Sequence, residues 1–473
     1  MPDVLSAAFD ALPYRHGAIP ESHPARIGAI ARVLGAGAAA PERCRVLELG
    51  CAEGMNLLPL AERFPGGTFV GVDFSPAHIA TAKQARAAAW LANVRLLTAD
   101  LRAFEPEPGA FDYVIAHGVY SWVADEVKDR LLRICARALA PEGVAYVSYN
   151  VLPGWGLAGS LRVMLRAELA QVPDPRAHAP RLLAALERAL TGQTGQGALL
   201  HELIQEMRAK PSAMLWHDDL EAINDPVTFL DFAAHGARHG LHYLGEAHFA
   251  SLPLEHLPAT AREALAGLDL DFLRSQQMLD LLGGRKFRNS LLVRTPPPSR
   301  RAQAEAIADC AAILHLWPVD GRIDLAPGAR VRLAGRHDFQ LAVEKPAEKA
   351  FFAALCEARP GPLAFRDALV RAAELLRASG QPDVVDAAPL AAGLLRLFTL
   401  DQCDLLLAGE GGWLHAAPPP TPSPLMRHQA RHDLPVVNRW HHVVELSPED
   451  RRWVAGEAAS VNESALIRSG LAG

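Results

Sequence analysis

Short apolar runs alternate with helix-type patterns of apolar and polar positions between residues 44 and 150. Five runs are typical of buried strands, and they cover residues 45–49, 68–72, 94–98, 111–116 and 144–149. Helix-type patterns between them predict helices over residues 55–64, 76–91 and 125–139, with Ser75 as the N-cap of the second. This strict alternation predicts an α/β fold with a parallel sheet and right-handed crossovers.

The remainder of the chain is richer in helix-type patterns. Residues 155–225 are rich in Ala and Leu and predict a helical insertion, and a further helix is expected over residues 226–238. Two strand-like runs follow at residues 241–247 and 287–294. Pro-rich stretches mark a linker at residues 295–301 and a second linker, or an extended arm, at residues 416–424. These boundaries divide the chain into residues 1–154, 155–225, 226–295, 303–415 (expected to be mainly helical) and 416–473.

Composition narrows the class of protein. The 473 residues are 50% hydrophobic and 21% charged, which is ordinary for a globular protein of two or three domains. The formal net charge of −6 argues against nucleic acid as the main partner, because phosphate binding favours a basic surface. Six scattered cysteines without a CxxC pair predict neither a disulfide framework nor a zinc site. Without a signal-peptide pattern or an apolar run of about 18 residues, we expect a cytoplasmic protein with no membrane span.

A glycine-rich turn follows the first predicted strand. It contains Gly50, Ala52 and Gly54. Turns of this kind, between a strand and a helix, hold the anionic end of a nucleotide-like cofactor. The dinucleotide fingerprint requires a third small residue at the position of Met55, so the spacing argues against a nicotinamide dinucleotide.

Acidic residues stand at the ends of the first three predicted strands. Glu48 lies at the end of the first strand, Asp73 follows the second and Asp100 follows the third. Because the carboxyl ends of parallel strands meet at one edge of a sheet, we expect the three carboxylates to surround one ligand. The second acid suits a ribose diol, and the third is placed for an exocyclic adenine amine. A ligand with an amino-acid group, a ribose and an adenine but no pyrophosphate is S-adenosylmethionine.

The ordered set of motifs resembles that of class I S-adenosylmethionine-dependent methyltransferases. The resemblance implies a Rossmann-like methyltransferase sheet with a helical insertion, completed by residues 226–295 as a methyltransferase regulatory domain. It implies that Glu48 and the glycine-rich turn hold the methionyl end, Asp73 the ribose and Asp100 the adenine. The predicted cofactor-binding residues are therefore Glu48, Gly50, Ala52, Gly54, Asp73, Phe74, Asp100, Leu101 and His117.

Aromatic residues cluster after the fourth and fifth predicted strands, where a methyl acceptor would lie. Trp122 and Trp155 either join this pocket or pack against the helical insertion. A dry aromatic site lowers the pKa of an amine, since it disfavours the charged form, and aromatic faces hold cations. His117 is the candidate general base, or alternatively a structural histidine beside the cofactor. The predicted catalytic residues are His117, Tyr120, Tyr149 and Asn150.

Residues 10–295 are also similar to rickettsial-type protein-lysine methyltransferases. The resemblance implies a protein lysine as the methyl acceptor, and an N-terminal arm that brings Tyr14 and His23 near the cofactor. It further implies a winged-helix-like domain within residues 303–415 and a homodimer. A small-molecule N- or O-methyltransferase is the first alternative. A cofactor-binding scaffold without turnover is the second.

Histidines are the remaining candidates for a metal site. His235 and His239 lie four residues apart on a predicted helix, and His428 and His432 have the same spacing. A metal site requires a third converging ligand, and none stands at a recognisable spacing. We therefore predict no metal site. We also predict no nucleic-acid contact by the C-terminal domain, because no basic recognition helix is visible.

Overall fold

The computed structural model describes residues 17–297 except 253, 255 and 256, residues 301–409, 412–414 and 421–457, and residue 471. Tyr14 and most of the second predicted linker lie outside the described residues. Among the described residues, no helix combines the length and the apolar character that crossing a bilayer requires.

A seven-stranded sheet forms the centre of the molecule. Its strands are β1 (Arg45–Leu49), β2 (Thr68–Asp73), β3 (Val94–Thr98), β4 (Phe111–Ala116), β5 (Leu139–Asn150), β6 (His242–Glu246) and β7 (Phe287–Val293). They lie in the order β3-β2-β1-β4-β5-β7-β6. Strands β1 to β5 pair in parallel, and β7 runs antiparallel to both β5 and β6. The predicted α/β fold is confirmed, including the completion of the sheet by two later strands.

The helices of the parallel part are α1 (Pro24–Val33), α2 (Leu57–Arg63), α3 (Pro76–Ala88) and α4 (Asp125–Ala138). Ser75 caps α3 as predicted, because its hydroxyl accepts the His78 N–H at 3.1 Å. The fifth strand begins at Leu139 rather than at residue 144. Residues 140–143, which separate the predicted helix from the predicted strand, belong to β5 and lie where its pairing with β4 shifts register.

The helical insertion consists of α5 (Trp155–Leu169), α6 (Pro175–Leu190) and α7 (Gln196–Ala209), followed by a short helical stretch that ends at Asp219. It has a small core of its own, formed by Leu165, Leu169, Ala179, Leu183, Ile204, Met207, Leu215 and Leu220. Helices α8 (Phe229–Arg238), α9 (Ala259–Ala266) and α10 (Phe272–Gly283) follow. Helix α8 packs on α10, β6 and α4, and so stands beside the end of the parallel sheet.

Residues 304–407 form a C-terminal domain with three helices and two small sheets. Helices α11 (Pro346–Glu357), α12 (Phe365–Ala378) and α13 (Ala387–Thr399) supply more residues than the strands. Strand β8 (Cys310–Leu314) pairs with β12 (Leu363–Ala364) and β13 (Cys403–Leu407), while β9 (Trp317–Pro318), β10 (Val331–Ala334) and β11 (Gln340–Val343) form the second sheet. The order helix, strand, helix, helix, strand from α11 to β13 is that of a winged helix. The strands were not predicted, because most are too short to show an alternating pattern.

The residues after this domain return to the seven-stranded sheet. The tail, residues 421–457, contains α14 (Pro424–Arg431), a hairpin of β14 (Val436–Val437) and β15 (Val443–Val444), and α15 (Pro448–Val454). Helix α14 packs against α3 and α2. The Glu62 carboxylate accepts the Ser423 hydroxyl at 2.7 Å and the Leu425 N–H at 3.2 Å. The N-terminal and C-terminal parts of the described chain therefore meet on one side of the sheet.

Candidate active site

The glycine-rich turn is held in left-handed backbone geometry. Gly50, Ala52 and Gly54 have φ angles of 75°, 44° and 75°. For Ala52 this geometry costs about 1 kcal/mol, and such strain is concentrated at functional sites. A Cβ atom added at Gly50 would lie 2.6 Å from Val119 Cγ2, so this glycine is needed for close packing as well as for its φ angle.

Asp73 ties this turn to the end of β2. Its buried carboxylate accepts the Ala52 N–H at 2.9 Å through Oδ2 and the Ser75 N–H at 2.9 Å through Oδ1. The Ala99 N–H after β3 in turn bonds the Asp73 carbonyl at 2.9 Å. Because each carboxylate oxygen can accept a further bond, Asp73 both stabilises the turn and retains capacity for ligand hydroxyls.

Glu48 is a buried carboxylate with one unused oxygen. The side chain is 3% exposed, and Oε1 accepts the Asn56 amide at 2.8 Å. No group in the described part of the chain pairs with Oε2. Burial raises the pKa of Glu48 to about 8, the Asn56 bond opposes this rise and Asp73 adds to it. An unpaired buried carboxylate oxygen favours a cationic partner, and a cofactor's α-ammonium fits that requirement.

Asn56 connects Glu48 to two distant segments. Its Oδ1 accepts the Ile19 N–H at 2.9 Å, lies 3.2 Å from the Ser22 hydroxyl and is 2.7 Å from His441 Nε2 in the tail hairpin. We call these contacts the Asn56 hub. Burial lowers the pKa of His441 to about 3, so the ring is neutral. This hub could not be predicted from a motif, because Asn56 and His441 lie 385 residues apart.

His23, expected near the cofactor, lies beside this hub. Its Nδ1 accepts the Ala25 N–H at 3.2 Å, so the side chain caps α1. Its ring centroid is 5.5 Å from that of His441, and burial lowers its pKa. The direct role of His23 is therefore to hold the first helix and to pack against the tail.

The predicted adenine-side residues follow β2 and β3. Asp100 is partly exposed and is paired with Arg102, whose hydrogen bonds lower the carboxyl pKa. Phe74 is 40% exposed directly after β2, and Leu101 follows Asp100. These residues thus share the strand-end edge with Asp73, while Asp100 has a cationic neighbour that the sequence analysis had not considered.

The predicted catalytic residues follow β4 or lie at the end of β5. His117 Nδ1 is 2.9 Å from the Tyr146 hydroxyl, and its ring centroid is 5.8 Å from that of Phe287. Asn150 is buried, and its amide donates to Asn224 Oδ1 at 2.9 Å. His117 and Asn150 therefore both have long-range polar partners.

Tyr120 and Tyr149 are almost completely buried. The Tyr120 hydroxyl lies 2.9 Å from His235 Nδ1, and that of Tyr149 lies 2.9 Å from Ser290 Oγ. Burial raises the pKa of both phenols above the ordinary value. The two rings contact each other edge to face. The ring of Phe232, a residue of α8, packs against both tyrosine rings. Their hydroxyls are thus bonded to residues of α8 and β7.

A buried ionic cluster contacts Ser290, the hydrogen-bond partner of Tyr149. Arg288 is 1% exposed, and its guanidinium bonds Glu246 at 2.6 Å and Asp280 at 2.8 Å. Ser290, the partner of Tyr149, donates to the same Glu246 oxygen at 2.8 Å. Removing one partner of such a cluster leaves an uncompensated buried charge. This cluster was not predicted, although Arg288 within a predicted strand is a visible signal.

Two family models match the chain over the regions that carry these residues. Residues 46–143 match a methyltransferase domain, and residues 211–294 match a predicted methyltransferase regulatory domain. The chain is built on an S-adenosylmethionine-dependent methyltransferase domain. The residues predicted to bind the cofactor, from Glu48 to Asp100, lie within the first match. The Arg288 cluster and α8 lie within the regulatory domain.

Solved structures and curated relatives extend the similarity. PKMT2 from Rickettsia typhi, determined in complex with AdoHcy, is 24% identical with a TM-score of 0.80, and the match covers 93% of this chain and 87% of that one. At this identity the likeness shows a shared fold. An uncharacterized protein of Rickettsia prowazekii is 29% identical over 368 residues, which are 76% of this chain and 66% of that protein.

Two further relatives match shorter regions. A second uncharacterized protein of Rickettsia prowazekii is 35% identical over 158 residues, covering 33% of this chain and 63% of that protein. The chain thus spans slightly less than two thirds of the length of both rickettsial relatives. Trans-aconitate 2-methyltransferase of Variovorax paradoxus is 33% identical over 148 residues, covering 31% of this chain and 53% of that enzyme.

Proposed function

We propose that this methyltransferase transfers a methyl group from S-adenosylmethionine to the side-chain amine of a protein lysine. The observation that carries the cofactor half is the buried Glu48 oxygen without a partner in the described residues. Glu48 would bind the cofactor's ammonium, Asp73 its ribose hydroxyls, and Asp100 with Leu101 and Phe74 its adenine. When bound, the cofactor supplies a methyl group activated on a sulfonium.

The chain's own residues would position the acceptor and remove its proton. His117 would accept the proton, with its ring orientation fixed by the Tyr146 hydroxyl at 2.9 Å. Tyr120 and Tyr149 would act as positioning residues, since their raised pKa values disfavour proton transfer near neutral pH. Asn150 would border the acceptor at the end of β5. In-line methyl transfer depends chiefly on such positioning.

Charge around the acceptor side supports a cationic acceptor. The exposed carboxylates near Tyr120 are Asp125, Asp129, Asp225 and Asp231, and they outnumber the nearby cations Lys128 and Arg238. Carboxylates concentrated at the mouth of a site raise the local concentration of a positively charged substrate. A lysine side chain has that charge before it is deprotonated.

A small-molecule acceptor is the second candidate. The similarity to a trans-aconitate 2-methyltransferase, which extends over about a third of this chain, favours it. An acidic acceptor would meet the carboxylates near Tyr120 unfavourably, whereas a neutral or basic small amine would not.

One assay separates these functions. The full-length protein is incubated with S-adenosylmethionine and either poly-L-lysine, poly-L-arginine or trans-aconitate, and released S-adenosylhomocysteine is quantified. Methylated poly-L-lysine, detected by mass spectrometry, is the expected product, with poly-L-arginine as the matched control. Turnover with trans-aconitate alone would replace the lysine proposal. Binding of S-adenosylhomocysteine in calorimetry without turnover on any acceptor would indicate a scaffold.

The cytoplasmic location and the homodimer expected from the sequence stay predictions. Size-exclusion chromatography with light scattering on the full chain tests the second of them directly.

A further inference from the structure

Three side chains that can each supply a metal ligand lie close together between α4 and the end of α8. Asp129 on α4 faces His235, on the last turn of α8, and His239, the residue directly after that helix. Asp129 Oδ1 is 2.8 Å from His239 Nε2 and 3.3 Å from His235 Nε2. One donor atom from each of the three residues lies within 4.8 Å of the others.

This geometry fits the ligand set of a transition metal. Tetrahedral coordination with bonds of about 2.0 Å separates ligand atoms by about 3.3 Å, which the two measured distances approach. Two imidazoles and one carboxylate are typical of zinc sites that leave a position open. Hard cations such as Mg²⁺ favour all-oxygen ligand sets, so they fit poorly here.

The cluster also has the outer support that metal sites require. His235 Nδ1 lies 2.9 Å from the buried Tyr120 hydroxyl. This contact fixes the ring and directs Nε2 toward Asp129, as second ligand shells do in metalloproteins. His235 is 9% exposed while Asp129 is exposed, so the cluster is anchored on one side and open to solvent on the other.

We propose that Asp129, His235 and His239 form a binding site for a divalent transition metal ion, with Zn²⁺ as the ion that best matches the ligands. The bound ion would join α4 to α8 and hold His235 against Tyr120 beside the acceptor side. The expectation of no metal site rested on spacing along the sequence, and Asp129 stands 106 residues before His235. The proposal does not depend on the identity of the methyl acceptor.

The test uses the full-length protein after EDTA treatment and gel filtration. Co²⁺ is titrated while its visible absorption is recorded, and Zn²⁺ is then added to displace it. We expect one equivalent of Co²⁺ with the spectrum of a nitrogen- and oxygen-bound ion of low coordination number. Zn²⁺ should displace it, and excess Mg²⁺ should not.

Three variants make the test specific. Asp129→Asn, which preserves shape, and His239→Ala should each weaken metal binding at least about tenfold. Tyr120→Phe should weaken it about tenfold through the lost outer bond. His428→Ala is the matched control, because His428 on α14 and His432 directly after it have the same spacing but form no three-ligand group in the described residues. Circular dichroism confirms that each variant is folded.

Two results would overturn the proposal. One is the absence of a stoichiometric Co²⁺ signal in the wild-type protein. The other is equal loss, or no loss, of binding in the folded Asp129→Asn and His428→Ala variants. In either case the cluster is a hydrogen-bonded His–Asp group that connects two helices.

Discussion

The cofactor side and the acceptor side of the candidate site are built in different ways. On the cofactor side, Glu48 and Asp73 are themselves among the last residues of β1 and β2, next to a short turn. On the acceptor side, Tyr120 and Tyr149 are buried and bonded to His235 and Ser290, which lie more than a hundred residues further along the chain. The residues proposed to bind the cofactor are therefore positioned largely by local sequence, whereas the residues proposed for the acceptor side are positioned by contacts with the regulatory domain.

The strongest test of this contrast is Asp73→Ala. It removes the acceptor of the Ala52 and Ser75 N–H groups together with the proposed ribose contacts. Hydrogen bonds to a charged group contribute about 1.5–3 kcal/mol, so affinity for S-adenosylhomocysteine should fall about 10- to 100-fold. Calorimetry measures this. Asp112→Ala is the control, because Asp112 pairs with Arg45 at the opposite end of the parallel strands. Equal affinity in both variants would contradict the cofactor assignment.

Glu48 predicts a dependence of cofactor affinity on pH. In the cofactor-free protein, the Glu48 carboxyl has a pKa of about 8, and it must lose its proton to bind an ammonium. Affinity for S-adenosylhomocysteine should therefore rise about tenfold from pH 6 to pH 7. The Glu48→Gln variant should bind more weakly and show a much smaller pH dependence. A wild-type affinity that does not change over this range would argue against direct contact with the ammonium.

The same shift predicts a dependence of stability on pH. The pKa of Glu48 in the folded protein is raised above its ordinary value of 4.5. The contribution of this carboxyl to the free energy of unfolding is therefore fully present below pH 4.5. It is lost as the pH rises through about 8. The Glu48→Gln variant does not lose this contribution. Thermal denaturation of the cofactor-free protein should therefore show that the variant gains stability relative to the wild-type protein at pH 8, compared with the same difference at pH 5.

The tail hairpin tests whether local sequence alone suffices on the cofactor side. His441→Ala removes one bond to the Asn56 hub and should reduce cofactor affinity about fivefold, which corresponds to about 1 kcal/mol. His432→Ala, an exposed change in the same tail, should have no effect. Unchanged affinity in the His441→Ala variant would show that the hub is dispensable for binding.

The smallest expected effect distinguishes two tyrosines of β5. Tyr149→Phe should lower the free energy of unfolding by about 1 kcal/mol through the bond to Ser290, with cofactor affinity unchanged. Tyr146→Phe removes the bond to His117 and should in addition lower kcat. Chemical denaturation and steady-state kinetics on both variants separate these roles. Full turnover in the Tyr146→Phe variant would show that the bond from Tyr146 to His117 is not needed for catalysis.

The sequence was sufficient for the elements that depend on neighbouring residues. The bounds of strands β1 to β4 agree with the predicted ones to within one residue. The predicted Ser75 cap is present, and the two later strands complete the sheet. The start of β5 was misplaced because Pro141 and Gly143 favour a turn, whereas pairing with β4 keeps these residues in the strand. Tertiary hydrogen bonding therefore prevailed over local preference.

The parts that could not be predicted involve residues far apart in the sequence. The Asn56 hub joins residues 19, 22, 56 and 441, and the Arg288 cluster joins three elements of the regulatory domain. No spacing rule relates such residues, since their contacts depend on how helices and strands pack. For the same reason, the approach of Asp129 to His235 and His239 was invisible until α4 and α8 were seen side by side.

The position of His441 has a consequence for how the protein matures. During synthesis the glycine-rich turn and Glu48 are made early, yet the contact from His441 to Asn56 spans 385 residues. The ribosome must therefore produce nearly all of the described chain before Asn56 can gain this contact. A nascent or prematurely terminated polypeptide would carry the strands of the methyltransferase sheet without this last contact. Under the proposed function, we therefore expect full cofactor affinity only once residue 441 has been synthesised.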